Sequence, residues 1–99
     1  MNVIKKQNGS QLTVALEGRL DTTTSSQLEH ELSGALNGIK ELEFDLDKLD
    51  YISSAGLRVL LSTQKTMNRQ GSMEIFNVKP EIMEIFEVTG FVDILTIRE

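Results

Sequence analysis

Three aspartates and two serines fall between positions 45 and 54: Asp45, Asp47, Asp50, Ser53 and Ser54. Carboxylates at this density could hold a divalent cation, and a serine hydroxyl could serve as nucleophile, helix cap or phosphate acceptor. The cation reading lacks the glycine and distal glutamate that an EF-hand loop needs at fixed offsets. The nucleophile reading lacks a G-x-S-x-G elbow, and the single histidine, His30, stands between Glu29 and Glu31, off the apolar stripe of its segment. His30 therefore reads as a solvated surface residue, and with no cysteine present no metal site is expected. Neither G-x-x-x-x-G-K-[S/T] nor G-x-G-x-x-G occurs, so no phosphate-cradling loop is expected. What remains is a serine that is capped into a helix start, or modified there. Spacing alone favours the cap, worth about 0.5–2 kcal/mol. A kinase needs its acceptor hydroxyl exposed, and a helix start after a strand meets that need.

The elements on either side of the serines set their geometry. Leu42, Phe44 and Leu46 alternate with Glu41, Glu43, Asp45 and Asp47, which predicts a strand ending near Asp47. From Leu57 the period lengthens: Leu57, Leu60, Leu61, Gln64 and Met67 or Asn68 mark one face of a helix. Ser62 and Gln64 are read as solvated. The change falls at Tyr51-Ile52-Ser53-Ser54-Ala55-Gly56, so Ser53 or Ser54 opens the helix, with its hydroxyl at the positive end of the helix dipole.

The remaining elements follow in the same way. Val3 to Gln7 is a first strand and Asn8-Gly9 a hairpin turn; Leu12, Val14 and Leu16 mark an antiparallel second strand ending at Gly18. Asp21 or a following hydroxyl caps a first helix with the stripe Leu28, Leu32, Ala35 and Leu36, stopped at Asn37-Gly38. Gly71 ends the second helix. Met73, Ile75 and Val78 belong to a fourth strand, parallel to the central one because a helix intervenes. Pro80 opens a third helix whose inner face is Ile82, Ile85, Phe86 and Thr89, with Met83 at its margin; Gly90 stops it. The residues Ile94-Leu95-Thr96-Ile97 form a last strand. The fold class is α/β: a mixed sheet of about five strands with about three helices mainly on one face.

The run DLDKLDYISSAGLRVLL resembles the signature of the STAS domain, specifically the free-standing anti-sigma factor antagonists of bacteria. GRLDTTTSSQL upstream and EIMEIFEVTGFVDIL downstream resemble that family's flanking marks, so the likeness spans nearly the whole chain as a single domain, 1–99. The resemblance implies phosphorylation of the serine that opens the central helix by a partner kinase that is also the anti-sigma factor, with a phosphatase to reset it. The acceptor matches Ser54, with Ser53, standing where an Asp is often found, as the alternative. It also implies a partner surface of Asp21, Thr22, Asp47, Asp50, Ser53, Ala55, Gly56 and Arg58. For Asp21 the helix cap is the competing role, and for Gly56 it is helix packing. Arg58 could contact the partner or pair with Asp45 or Asp50. No enzymatic activity and no cofactor are implied; nucleotide binding, proposed for some STAS domains, has no motif here. Many members carry a further C-terminal helix, for which these residues leave no room, so one flank of the sheet should be more exposed. The other family role is a constitutive interaction subunit of a lipid-transport or other complex, without phosphorylation.

Composition bounds both roles. Ninety-nine residues with 39% hydrophobic content, one proline and no cysteine make one ordinary globular core without disulfides or thiolate chemistry. A net charge of −5 argues against direct nucleic-acid binding, which depends on basic residues neutralising phosphates. The start MNVIKKQNGS has no apolar run after its lysines, so neither signal peptide nor membrane insertion is expected, and the protein should stay in the cytoplasm. A protein partner is the natural expectation.

Overall fold

The computed structural model describes residues 1–98. In chain order its elements are β1 (Asn2–Asn8), β2 (Gln11–Leu20), α1 (Thr22–Leu32), β3 (Glu41–Ile52), α2 (Ser54–Gln70), β4 (Ser72–Phe76), α3 (Pro80–Thr89), a 3-10 turn (Phe91–Asp93) and β5 (Ile97–Arg98). The strands form one mixed sheet in the order β1-β2-β3-β4-β5. β1 runs antiparallel to β2, and each later neighbour is parallel, joined through a helix as parallel strands require.

Alternation decides which face is covered. Leu12, Val14 and Leu16 of β2, Leu42, Phe44 and Leu46 of β3, and Met73 and Ile75 of β4 all point inward. They form one continuous core with Leu28 and Leu32 of α1, Leu57, Leu60 and Met67 of α2, and Ile82 and Phe86 of α3. The opposite face is polar: Glu43 accepts from Gln11 Nε2 at 3.2 Å and Thr13 Oγ1 at 3.3 Å, and Arg98 joins Glu43 at 3.0 Å to Glu74 at 3.3 Å. The helices therefore lie over one side of the sheet, as the alternation predicts.

Several boundaries differ from the periodic reading. Asn8 pairs with Gln11, so the hairpin loop is Gly9-Ser10, and it is Gly9 that takes the left-handed φ of 61°. β3 does not stop near Asp47 but stays paired with β2 as far as Ile52, opposite Leu20; two bulges, between Ala15 and Glu17 and between Gly18 and Arg19 of β2, break its alternation. β2 likewise passes Gly18, whose φ of 105° accommodates the irregular register, and ends at Leu20. α1 ends at Leu32, before Asn37-Gly38; Ala35 and Leu36 still pack on the core, but from a loop. That loop is held by Gln70, whose Nε2 donates to the carbonyls of Leu36 and Ile39, each at 2.7 Å. β4 closes at Phe76, leaving Val78 outside it, and Thr89 is exposed rather than on the inner face of α3. The 3-10 turn runs on into Ile94, whose N–H donates to Phe91 O, so among the described residues β5 spans Ile97–Arg98 instead of starting at Ile94.

Candidate functional site

Three parallel strands finish along one rim of the sheet, and each hands over to a helix there. The caps are Asp21 for α1, Ser53 for α2 and Lys79 for α3. Ligand and partner sites of open parallel sheets lie along this carboxyl edge. The rims of β2 and β3 are tied together, since Ser53 N–H donates to Leu20 O at 2.8 Å.

Of the two serines, Ser53 is the cap. Its backbone is extended, with φ −95° and ψ 174°, and its Oγ accepts from Gly56 N–H at 3.3 Å. Ser54 is the first helical residue and is exposed, and among the described residues its hydroxyl makes no hydrogen bond to protein. One hydroxyl is thus committed to the fold and its neighbour is free.

The aspartates do not converge. Asp45 accepts from the Asp47 N–H at 3.0 Å and from Asn77 Nδ2 at 3.2 Å, while Asp50 pairs with Lys79 at 2.7 Å. Among the described residues no three His, Cys, Asp or Glu side chains gather closely enough to hold a metal ion. The Asp50 contact raises the Lys79 ammonium above its ordinary value, with Asp50, Glu81 and Asp47 charges adding to it and desolvation opposing. Lys79 was not expected at this rim, although its place directly before Pro80 marks it as the start of α3. Arg19, whose guanidinium lies 4.2 Å from the centre of the exposed Tyr51 ring, was also missed.

Asp21 and Thr24 form a reciprocal cap. The Asp21 carboxylate accepts from Thr23 N–H at 3.1 Å and Thr24 N–H at 3.0 Å, and Thr24 Oγ1 accepts from Asp21 N–H at 2.8 Å. The Thr24 N–H, then its hydroxyl, hold the Asp21 carboxyl below its ordinary value; Thr23 N–H and Arg19 add to this while slight desolvation opposes. A depressed carboxyl stabilises the fold above the unfolded value of about 3.9 and loses that contribution as pH falls through the lower folded value. Asp21→Ala should therefore lower the urea midpoint at pH 7, and the gap from the parent should narrow below about pH 4. A gap that stays constant with pH would remove the carboxylate from the account.

A groove of about 540 Å³ runs between α1 and α2, lined among others by Thr22, Ser26 and Glu29 on one wall and Ala55, Arg58 and Lys65 on the other. The rim and groove thus bring together Asp21, Thr22, Ser53, Ser54, Ala55 and Arg58, with Asp47 and Asp50 exposed on the adjoining bulged strand. Gly56 departs from this set: it is buried, and a Cβ there would lie 2.8 Å from Leu20 Cγ and 2.9 Å from Ile52 Cγ1. Its role is internal packing, and it offers no surface to a partner. Arg58 pairs with neither Asp45 nor Asp50, which have other partners. Gln64 is not solvated: it is 5% exposed, and its Nε2 donates to Asn68 Oδ1 at 2.9 Å. Among the described residues no helix is long and apolar enough to cross a membrane.

Residues 2–99 match the description of the STAS domain. A Bordetella bronchiseptica protein named "Putative anti-sigma factor antagonist BtrV" is 39% identical over 88 residues, which cover 87% of this chain and 76% of that protein. An anti-sigma-B factor antagonist from Bacillus subtilis is 30% identical over 98 residues, covering 98% of this chain and 90% of the relative. The solved structure of the anti-sigma factor antagonist SpoIIAA in its unphosphorylated form has the same fold, with a TM-score of 0.84 at 16% identity over 99% of this chain and 89% of that one.

Proposed function

The chain belongs to the STAS domain family, and from that premise we propose that it is an anti-sigma factor antagonist. In the unphosphorylated state it binds an anti-sigma factor with kinase activity and so frees a sigma factor. Phosphate on Ser54 ends that binding, and a phosphatase restores it. The protein is then a binding partner and a substrate rather than a catalyst, and it acts in the cytoplasm. The observation that carries this reading is the exposed, uncommitted Ser54 hydroxyl at the first position of α2, beside a second serine that does the capping. The names of relatives that are 39% and 30% identical support the class of activity.

The switch follows from charge. A phosphoserine adds about −1.5 to −2 charges at neutral pH, onto a chain whose net charge is already −5. First-turn N–H groups of α2 can accommodate an anion, so the fold need not move. The partner surface comprises Asp21, Thr22, Asp47, Asp50, Ser53, Ala55 and Arg58, with Gly56 supporting it from beneath, and it would meet like charge or a desolvated dianion, which can cost several kcal/mol.

The test is to incubate the protein with ATP and candidate partner kinases and to locate added phosphate by mass spectrometry. Labelling is expected on the parent and on Ser53→Ala, and none on Ser54→Ala. Label retained in Ser54→Ala and lost in Ser53→Ala would move the acceptor to Ser53. No label with any partner that binds would overturn the switch and favour a constitutive interaction subunit of a lipid-transport or other complex.

A further inference from the structure

We propose that Arg58 closes over a phosphate on Ser54, turning its guanidinium from the α1–α2 groove onto the phosphate oxygens one helical turn back. The inference rests on the reading of Ser54 as the phosphate acceptor and adds a second component to its regulation. Ser54 and Arg58 stand four apart on α2, and both are exposed. Residues at that spacing are surface neighbours, about 5–6 Å apart at Cβ. Helical side chains lean toward the N-terminus, so a long side chain at 58 covers the turn that holds 54. Guanidinium and phosphate then match as two parallel charge-assisted hydrogen bonds.

The surroundings single out Arg58. Among the described residues it takes part in none of the ion pairs, whereas Lys79 is held by Asp50 and Arg19 is stacked on Tyr51. Lys65 lines the same groove, but eleven positions beyond Ser54 it is about 16 Å farther along the helix at 1.5 Å per residue. The other charged groups facing this region, Asp21 at the α1 cap and Glu29 on the groove wall, are carboxylates that oppose a phosphate. Arg58 is the cation one helical turn from Ser54.

Modification would then change the groove twice. The free protein presents the Arg58 cation to a partner; the phosphorylated protein engages that cation and adds a dianion beside it. Repulsion alone would only add negative charge.

The experiment uses full-length protein carrying phosphoserine at position 54 by genetic incorporation, so that no kinase is required. The second ionisation of the phosphate is followed by ³¹P NMR in the parent, Arg58→Gln, Arg58→Lys and Lys65→Gln, with amide spectra reporting the fold. Removing the Arg58 charge is expected to raise that ionisation by about half a pH unit, as an exposed ion pair should. Arg58→Lys should fall between parent and Arg58→Gln, Lys65→Gln should match the parent, and salt near 1 M should erase the differences. Identical titrations in parent and Arg58→Gln would overturn the proposal, as would an equal shift in Lys65→Gln. Because the phosphate is supplied in synthesis, either result stands apart from whether a kinase labels Ser54.

Discussion

Gly71→Ala should cost about 3 kcal/mol or more of folding stability, at or beyond the usual range for forcing extra volume into a packed site. A methyl group on Gly71 would lie 2.0 Å from Lys40 O and 2.6 Å from Lys40 C, both backbone atoms with no rotamer to swing aside. The same carbonyl accepts from Ser72 N–H at 2.8 Å, just where β4 takes its register on β3 with Ser72 opposite Glu41. The Gly71 N–H meanwhile closes α2 by donating to Met67 O at 2.7 Å. The substitution must therefore push apart the end of a helix and the start of a strand pair at once. Small domains have only about 5–15 kcal/mol in total, so the urea midpoint should fall markedly. An unchanged midpoint would mean that this corner yields at no cost.

Ser54→Asp should weaken binding to the partner kinase on the order of 100-fold, about 2.8 kcal/mol at 1.4 kcal/mol per decade, with helix content unchanged. A carboxylate in the first turn of a helix suits the macrodipole, so the fold tolerates the charge that the interface does not. Ser54→Ala should bind like the parent, because the hydroxyl holds no structural bond among the described residues and Ser53 supplies the cap. Titration calorimetry with purified partner distinguishes these outcomes. Parent-like affinity for Ser54→Asp would remove charge at this position as the switch.

How far these results were legible beforehand differs from element to element. The alternation of Leu12, Val14 and Leu16, and of Leu42, Phe44 and Leu46, identified the buried face of the sheet, because a half-covered strand admits only one phase. Pro80 and Gly90 marked the ends of α3 for reasons of backbone geometry that no packing overrode: Pro80 occupies its first turn and Gly90 takes a left-handed φ of 80°. The end of β3 was illegible for the opposite reason. After Leu46 the next inward residues are Leu49 and Ile52, a spacing of three that imitates the loss of a strand but results from added residues opposite β2. Ile39, fully buried in the loop after α1, had no periodic neighbours to announce it.

At the rim, the pattern offered Ser53 and Ser54 as equivalent openings of α2; what separates them is the extended backbone of Ser53 and its bond to Gly56 N–H, a tertiary consequence of where β3 ends. Gly56 could not be assigned from its neighbours in sequence, because the side chains that forbid a Cβ there come from Leu20, on another strand, as well as from Ile52. Asp50 found Lys79 rather than Arg58 for the same reason: the ion pair joins residues 29 apart in the chain.

The two irregularities in β3 act as a phase correction. Each lets the strand advance one residue without its partner following, so that after both Ile52 again faces the core and its successors leave the sheet with Ser53 turned to the helix and Ser54 to water. Strict alternation over the same residues would instead turn Lys48 and Asp50 inward and Leu49 outward. At this edge the bulges keep Lys48 and Asp50 in water and Leu49 in the core, while the strand still reaches Ile52 in the phase that hands over to Ser53 and Ser54.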